Sequence, residues 1–222
     1  MDDFIKTLKS EFEAHADSTI AEEQKAYLRG QFSFYGIKTP VRRAIQKPFF
    51  VKAYLPPKEN LEHLAKMLWN RPEREYHYFA QELIQKYIKE FEEKDILLFE
   101  FMVTHNSWWD TVDFIATKLI KAYFKKFPKQ RHFYIKKWLA SNDIWLQRSC
   151  LIFQLLSKEK MDAEFLAYII NSLIGSQEFF INKAIGWVLR DYSRTNPKWV
   201  SDFVIHTDLH PLSRREALRL IK

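Results

Sequence analysis

The sequence predicts an all-α protein, an α-solenoid of about six HEAT-like helical repeats. Three observations carry that prediction. Glycine is scarce, four among 222 residues, so few positions are free to make the tight turns of a β-rich chain. Apolar residues recur at helical spacing along most of the chain. Helix-start signals return at a near-regular interval, the mark of stacked helical pairs.

The starts come in order. Thr39 precedes Pro40, a cap followed by proline at the first helical position. Asn70 stands before Arg71-Pro72-Glu73. Ser107, with Asp110 three residues on, reads as a capping box that opens Trp108-Trp109-Asp110-Thr111-Val112-Asp113. Asn142 and Asp143 precede Ile144-Trp145-Leu146, and Ser176 precedes Gln177-Glu178-Phe179. Ser213 and Glu216 form a second capping box. From Thr39 through Asn70, Ser107, Asn142, Ser176 and Ser213 the steps are 31, 37, 35, 34 and 37 residues. Amphipathic stretches at 96–103, 133–139 and 165–173 lie between starts, so each unit holds two helices. Residue identity between units is weak. The prediction therefore rests on caps and period, and the competing architecture is an irregular helical bundle. The array is read as a single domain over residues 1–222.

Composition narrows the function. Lys and Arg number 35 against 28 Asp and Glu, a net charge of +7, which favours a polyanionic partner without deciding for one. The lone cysteine, Cys150, lies in an apolar run and reads as a core residue. With no internal disulfide available, a reducing cytoplasm is expected. No apolar stretch approaches the roughly 18 residues of a spanning helix. The start, Met1-Asp2-Asp3-Phe4-Ile5-Lys6, lacks the basic and apolar regions of a signal peptide. A soluble intracellular protein without a membrane partner is expected. His206 and His210 are four apart, but Pro211 follows and no third ligand is near, so no metal is expected. No glycine-rich phosphate loop is present, and no cofactor is expected.

The cations have a pattern. Arg42, Arg43, Arg74, Arg148, Lys183, Arg214 and Arg215 fall in early helical turns, where a positive charge opposes the helix dipole. Recurrence of that unfavourable placement asks for an anionic partner. Helices stacked in register would line their N-termini and these cations along one edge, suited to a phosphate backbone. Some of the cations are expected to pair with Glu73, Glu75, Glu178 or Glu216 instead.

One constellation points to chemistry. Trp109 and Asp113 are four apart and share a helix face. Asp113 lies among Val112, Phe114, Ile115 and Ala116, and a partly buried carboxylate needs a partner; Arg148 and Arg190 are the candidates. Trp187 follows Gly186, a residue that costs a helix interior about 1 kcal/mol relative to alanine. Close approach by another helix or a ligand would account for that glycine. Aromatic rings around one carboxylate suit a cation. The other tryptophans read as packing: Trp69, Trp138 and Trp145 as buried anchors, Trp199 as cover for a helix start.

Long segments then carry a resemblance. They are Ser107-Trp108-Trp109-Asp110-Thr111-Val112-Asp113, the run from Trp138-Leu139-Ala140 through Trp145-Leu146-Gln147-Arg148, and Phe179-Phe180-Ile181-Asn182-Lys183-Ala184-Ile185-Gly186-Trp187-Val188-Leu189-Arg190. Thr195-Asn196-Pro197 and Pro211-Leu212-Ser213-Arg214-Arg215-Glu216-Ala217 extend them. In these the chain resembles, over nearly its whole length, the AlkD family of HEAT-like-repeat alkylpurine DNA glycosylases. The resemblance implies a curved solenoid with a concave basic face for double-stranded DNA. It implies a catalytic cleft at Asp113, Trp109 and Trp187. DNA contacts are implied at Arg148 and Arg190, with Tyr27 lining the cleft. Thr39, Arg43, Lys183 and Arg214 join the DNA-contacting set. Tyr35-Gly36-Ile37-Lys38-Thr39-Pro40 matches more loosely, with Lys38 where a polar uncharged residue is expected.

The implied reaction is hydrolysis of the N-glycosidic bond of cationic N3- and N7-alkylated purines in duplex DNA, the first step of base-excision repair. It would need no cofactor, cut no strand and run in a monomer, bacterial-type and nucleoid-associated when bound to DNA. Two other readings stand beside it: a non-catalytic helical-repeat protein that binds damaged or distorted duplex, and a protein-interaction scaffold. The scaffold leaves Trp109, Asp113 and Trp187 together unexplained.

Overall fold

A computed structural model describes residues 2–221. Among them the structure is almost wholly helical, and the only extended pairing is an isolated bridge between Ser33 and Glu73. The chain packs as two compact units, Met1–Glu92 and Glu93–Lys222.

The first unit holds α1 (Asp2–Ala14), α2 (Ser18–Tyr27), α3 (Thr39–Gln46), α4 (Leu61–Trp69) and α5 (Arg74–Gln85), with short 3-10 turns between α3 and α4. Its core is Leu8 and Phe12 of α1, Leu64, Leu68 and Trp69 of α4, and Tyr76, Phe79 and Leu83 of α5, all fully buried. The loop into α3 is held by one carboxylate. Glu75 accepts from the backbone N–H groups of Tyr35, Gly36 and Ile37 at 3.1, 3.1 and 3.2 Å. Burial pushes its carboxyl up, and those three donors oppose the shift. Gly36 sits at φ +86°, and a Cβ there would stand 1.9 Å from the Asp17 carbonyl oxygen. Gly36→Ala is expected to destabilise the protein by about 2–3 kcal/mol, through left-handed strain and a clash with backbone that cannot swing aside. Denaturant unfolding measures it.

The second unit holds α6 (Asp95–Thr104), α7 (Trp109–Phe114), α8 (Lys121–Lys126), α9 (Pro128–Leu139), α10 (Ile144–Ile152), α11 (Ala163–Asn171), α12 (Phe179–Ser193), α13 (Pro197–His206) and α14 (Pro211–Ala217). α7 and α8 are one continuous run, joined by a π-helical segment over Ile115–Ile120. Trp138 is fully buried and donates its indole N–H to Glu100 at 2.6 Å. Cys150 is fully buried, and burial pushes its thiol well up, which keeps it an inert core residue. Trp145 is half-buried rather than a deep anchor, because its ring packs with Trp108 and Phe180 near the surface. Asn196 caps α13 by accepting from Trp199 N–H, and the Trp199 ring lies against Tyr192 and Phe203.

The repeat is more regular than the caps suggest. α3, α5, α7, α10 and α12 begin at residues 39, 74, 109, 144 and 179, a constant step of 35, and α14 follows at 211. The helical-repeat prediction holds, and several caps need correction. Only Asp143 caps as expected, accepting from Trp145 and Leu146 N–H at 2.9 Å each. The Ser107 hydroxyl donates back to the Val103 carbonyl of α6 at 2.5 Å, so α7 opens two residues later behind Trp108. Asn70 ends α4, and Glu73 precedes α5. Ser176 lies short of α12, where it accepts from Glu178 N–H. Ser213 is inside α14, which begins at Pro211 with the His210 ring nitrogen accepting from Leu212 N–H. Thr39 is itself helical, with Lys38 at the cap. Serine competes for nearby backbone groups on either side, so spacing alone cannot say which helix end it serves. Among the described residues no helix is long and apolar enough to cross a membrane.

Candidate functional site

Three helices of successive repeats bring the site together in the second unit. α10 packs between α7 and α12. The 35-residue step places Asp113 fifth in α7, Arg148 fifth in α10 and Lys183 fifth in α12. The partner of Asp113 is Arg148. Its Nε donates to Oδ1 at 2.8 Å and its Nη2 to Oδ2 at 2.9 Å, a bidentate pair. Nη1 donates to the Phe180 carbonyl at 2.7 Å. The arginine is 4% exposed, and its guanidinium carbon stands 6.0 Å from the centre of the Trp187 ring. Asp113, Arg148 and Trp187 therefore form one connected unit, with the aspartate side chain 18% exposed. Burial pushes the Asp113 carboxyl above its ordinary value, opposed by its bonds to Arg148.

That exposed part of Asp113 opens onto a cavity of about 420 Å³, with Trp187 also in its wall. Phe114, Thr117, Lys118 and Lys121 follow Asp113 along the same helical run; Leu155, Leu156 and Asp191 complete the lining. The volume lies in the range of small-molecule sites. Trp109 stands one turn before Asp113, half-buried, and is not in this lining. A larger groove of about 780 Å³ in the first unit, walled by residues such as Val41, Ile45 and Phe49, contains none of the candidate residues.

The π-helical segment shapes the cavity. At 100° per residue, Lys121 would lie about 80° round the helix from Asp113; the extra residue of a π turn removes most of that offset. Thr117 closes the same segment by donating to the Asp113 carbonyl at 2.6 Å. Lys121 donates to the Leu155 carbonyl at 2.6 Å, and burial pushes its ammonium down.

A second charge cluster lies between α12 and α14. Glu216 accepts from Lys183 at 2.8 Å and from Arg190. The Lys183 hydrogen bond, aided by both positive charges, holds its carboxyl below the usual value. Gly186 permits this cluster, for a Cβ there would meet the Glu216 Cβ at 2.5 Å and the Ser213 carbonyl oxygen at 2.9 Å. The unusual glycine answers a close helix approach. Gly186→Ala is expected to cost about 1–3 kcal/mol by overpacking. It should also flatten the protein's loss of stability in acid, so that its deficit against wild type is larger near neutrality than at low pH. Glu216 has a depressed folded pKa, so its contribution is present above the ordinary glutamate value and lost as pH falls through the folded one. Unfolding curves at pH 4 and pH 7 test both.

The other expected contacts are dispersed. Arg214 donates to the Thr207 carbonyl at 3.3 Å. Tyr27, Thr39 and Arg43 belong to the first unit: Tyr27 is 72% exposed, Thr39 is exposed, and the largely exposed Arg43 stands 3.7 Å from Glu82. Two of the early-turn cations are structural. Arg42 is buried against Glu82 and Gln46, and Arg74 is fully buried, 3.7 Å from the Phe32 ring centre and bonded to His77. Recurrence at helix starts overstated the anion-binding set because long cationic side chains also reach inward to carboxylates and rings. Sequence reasoning missed Lys121, Leu156 and Asp191. No short motif marks them, and their meeting depends on a π turn and on a turn after α10.

Comparison places these features in a wider group. A family model described as DNA alkylation repair enzyme matches residues 8–221. A predicted DNA alkylation repair enzyme from Enterococcus faecalis is 31% identical, with a TM-score of 0.87 over 93% of this chain and 97% of its own. AlkD2 from Streptococcus mutans, 16% identical, shares the fold with a TM-score of 0.66 over 91% of this chain and 99% of its own. No curated protein matches. With the family model spanning almost the entire length and a 31%-identical structure superposing over nearly all of it, the chain belongs to the DNA alkylation repair enzyme family.

Proposed function

We propose that the protein is a DNA glycosylase that hydrolyses the N-glycosidic bond of cationic N3- and N7-alkylated purines in duplex DNA. The observation that supports this most is the Asp113 carboxylate, fixed by Arg148 and opening, with Trp187, onto a cavity of about 420 Å³. Alkylation at N3 or N7 leaves the purine positively charged, so it departs with the bonding electron pair as a neutral base. No acid is needed to protonate it. Positive charge is left on the deoxyribose, at C1′ and the ring oxygen. Asp113 stabilises that charge, and Trp187 adds a cation–π contribution of up to about 2 kcal/mol in a desolvated site. Water then adds at C1′ and yields its proton to the carboxylate or to solvent. Both oxygens of the carboxylate already accept from Arg148, so its main work is to stabilise charge and orient the water. Trp109, one turn away, is the third member of the proposed catalytic set.

The DNA contacts proposed are Arg148, Lys183, Arg190 and Arg214 in the second unit and Tyr27, Thr39 and Arg43 in the first. Arg148, Lys183 and Arg190 are each bound to a carboxylate, so a phosphate would share these cations rather than find them waiting. Lys121 is tied to a carbonyl, which accords with a monofunctional enzyme that leaves the strand uncut.

Methylated duplex DNA is the test. Wild type is expected to release free 3-methyladenine or 7-methylguanine and leave strands that break only on alkali treatment. Tight duplex binding with no release would move the protein to the non-catalytic DNA-binding reading. The pH profile adds a second check. Activity requires ionised Asp113, whose pKa is raised, so the acid limb is expected above the ordinary aspartate value of about 3.9. Activity that persists unchanged down to that value would remove Asp113 from the mechanism.

A further inference from the structure

The positive charge of the chain is concentrated in one stretch. Between Asp113 and Asp143 stand eight lysines and arginines and no carboxylate, whereas the remaining residues hold 27 cations against 28 carboxylates. The whole excess therefore lies in the π-helical segment, α8 and α9. Lys125, Lys126 and Lys129 crowd the corner where Phe127 alone separates α8 from α9. Lys136 continues the exposed side of α9, opposite the buried Ile135 and Trp138. The carboxylates that neighbouring elements bring to α9 are already taken. Glu93 accepts from Gln130 at 3.0 Å, Asp162 from Arg131 at 2.8 Å, and Glu100 from Lys137 and Trp138 at 2.6 Å each. Among the described residues none of these reaches Lys125, Lys129 or Lys136, and all three are exposed.

Folding alone does not account for this. Like charges at one tight corner repel, for the screening length at physiological salt is about 8 Å. The helix dipole favours a cation at Lys125 or Lys136, each in a last turn. It opposes Lys129 in the first turn of α9, where no acidic residue offsets it. A polyanion relieves the repulsion. The corner stands apart from the Asp113 cluster: Lys125 is twelve residues further along the same helical run, about 18 Å at 1.5 Å per residue. A duplex seated at Asp113 meets one end of that run, and the lysines mark the other. Duplex DNA suits the patch better than an acidic lipid surface. Phe133 is the one large apolar side chain exposed on α9, and an interfacial helix needs an apolar face as well as a basic one.

We propose that Lys125, Lys129 and Lys136 form a second contact for duplex DNA, through which a protein seated on one duplex takes hold of another before it lets go of the first. This rests on DNA as the substrate, not on the chemistry at Asp113. Lysines offer mobile point charges and read no bases, so the contact is indifferent to sequence and damage. It serves transfer between duplex segments during search, and base release on a duplex already bound does not need it.

Stopped-flow fluorescence tests it, by following release of a labelled undamaged duplex from the protein as unlabelled duplex is added. Wild type is expected to release faster in proportion to the competitor. Three phosphate contacts at a slope of about 0.9 each weaken that effect about 40-fold between about 50 and 200 mM salt. The triple variant Lys125→Gln, Lys129→Gln, Lys136→Gln is expected to release at one rate whatever the competitor, to unfold at the wild-type temperature, and to match wild type in single-turnover base release. Lys6→Gln, Lys9→Gln, Lys198→Gln removes the same charge from exposed lysines elsewhere and should transfer as wild type does. Wild-type release that ignores the competitor overturns the proposal. So does a triple variant that still transfers, or a control that loses transfer equally, which would make net charge the cause. Ignored competitor together with lysine-dependent binding to phosphatidylglycerol vesicles would give the patch to lipid instead. A wild type that transfers but releases no methylated purine overturns the glycosylase reading and leaves this contact standing.

Discussion

Asp113→Asn is expected to lower base release about 10²- to 10³-fold while leaving duplex affinity unchanged, the size of loss seen when one preorganised electrostatic group is removed from an active site. Asparagine preserves shape. Its carbonyl oxygen can still accept from Arg148 Nε, where Asp113 Oδ1 now accepts at 2.8 Å. What disappears is the negative charge. The departing purine leaves a cationic sugar, and in the variant the cavity offers that sugar a buried guanidinium with no counter-charge. The ground state carries its positive charge on the base, farther from the carboxylate, so the loss falls mainly on the rate. Single-turnover release and equilibrium binding, measured on the same duplex, separate the two effects. Normal excision by Asp113→Asn would end the mechanism proposed above.

Arg148→Ala is expected to destabilise the protein by about 3–5 kcal/mol at neutral pH, because it strands a buried carboxylate. The arginine supplies both hydrogen bonds to Asp113 and also satisfies the Phe180 carbonyl. The pH dependence identifies the cause. Asp113 already has a raised folded pKa, so its contribution to stability is present below the ordinary aspartate value and is lost as pH rises through the folded one. Without Arg148 the two opposing influences vanish, the pKa rises further, and the loss of stability with pH extends to higher values. Urea unfolding of Arg148→Ala should therefore show the smallest deficit in acid and the largest near neutrality. Adding Asp113→Asn to Arg148→Ala should recover part of the loss. A deficit that is flat with pH would mean that cavity formation, not the orphaned charge, explains it.

The architecture was legible in the sequence because it is repetitive. Periodicity and scarce glycine were enough for an all-helical repeat, and the approximate caps averaged to the true step although most of them named the wrong residue. The members of the Asp113 cluster were legible because each is chemically conspicuous: a carboxylate in an apolar helix, an indole after an interior glycine, an arginine one repeat on. Which arginine would pair with Asp113 was not. Arg148 and Arg190 were equal candidates until the register between α7 and α10 was known, and Arg190 turned out to be bound to Glu216. Lys121 stayed hidden for a geometric reason, since an eight-residue separation puts it on another helix face unless the backbone takes the π turn. Leu156, on the same cavity wall, was hidden because an apolar residue in an apolar stretch says nothing of its left-handed backbone, at φ 60°.

The constant step has an evolutionary consequence. Arg43, Arg148 and Lys183 stand fifth in α3, α10 and α12, and Asp113 stands fifth in α7. The proposed catalytic group thus occupies a place where three of the four sister repeats in the constant step carry a cation, α5 having Tyr78 there. In a protein copied from one ancestral unit, such a centre can originate by reversing the sign of a single side chain while the next copy already holds its counter-ion. No new loop has to be invented, and the scaffold around the changed residue is inherited intact.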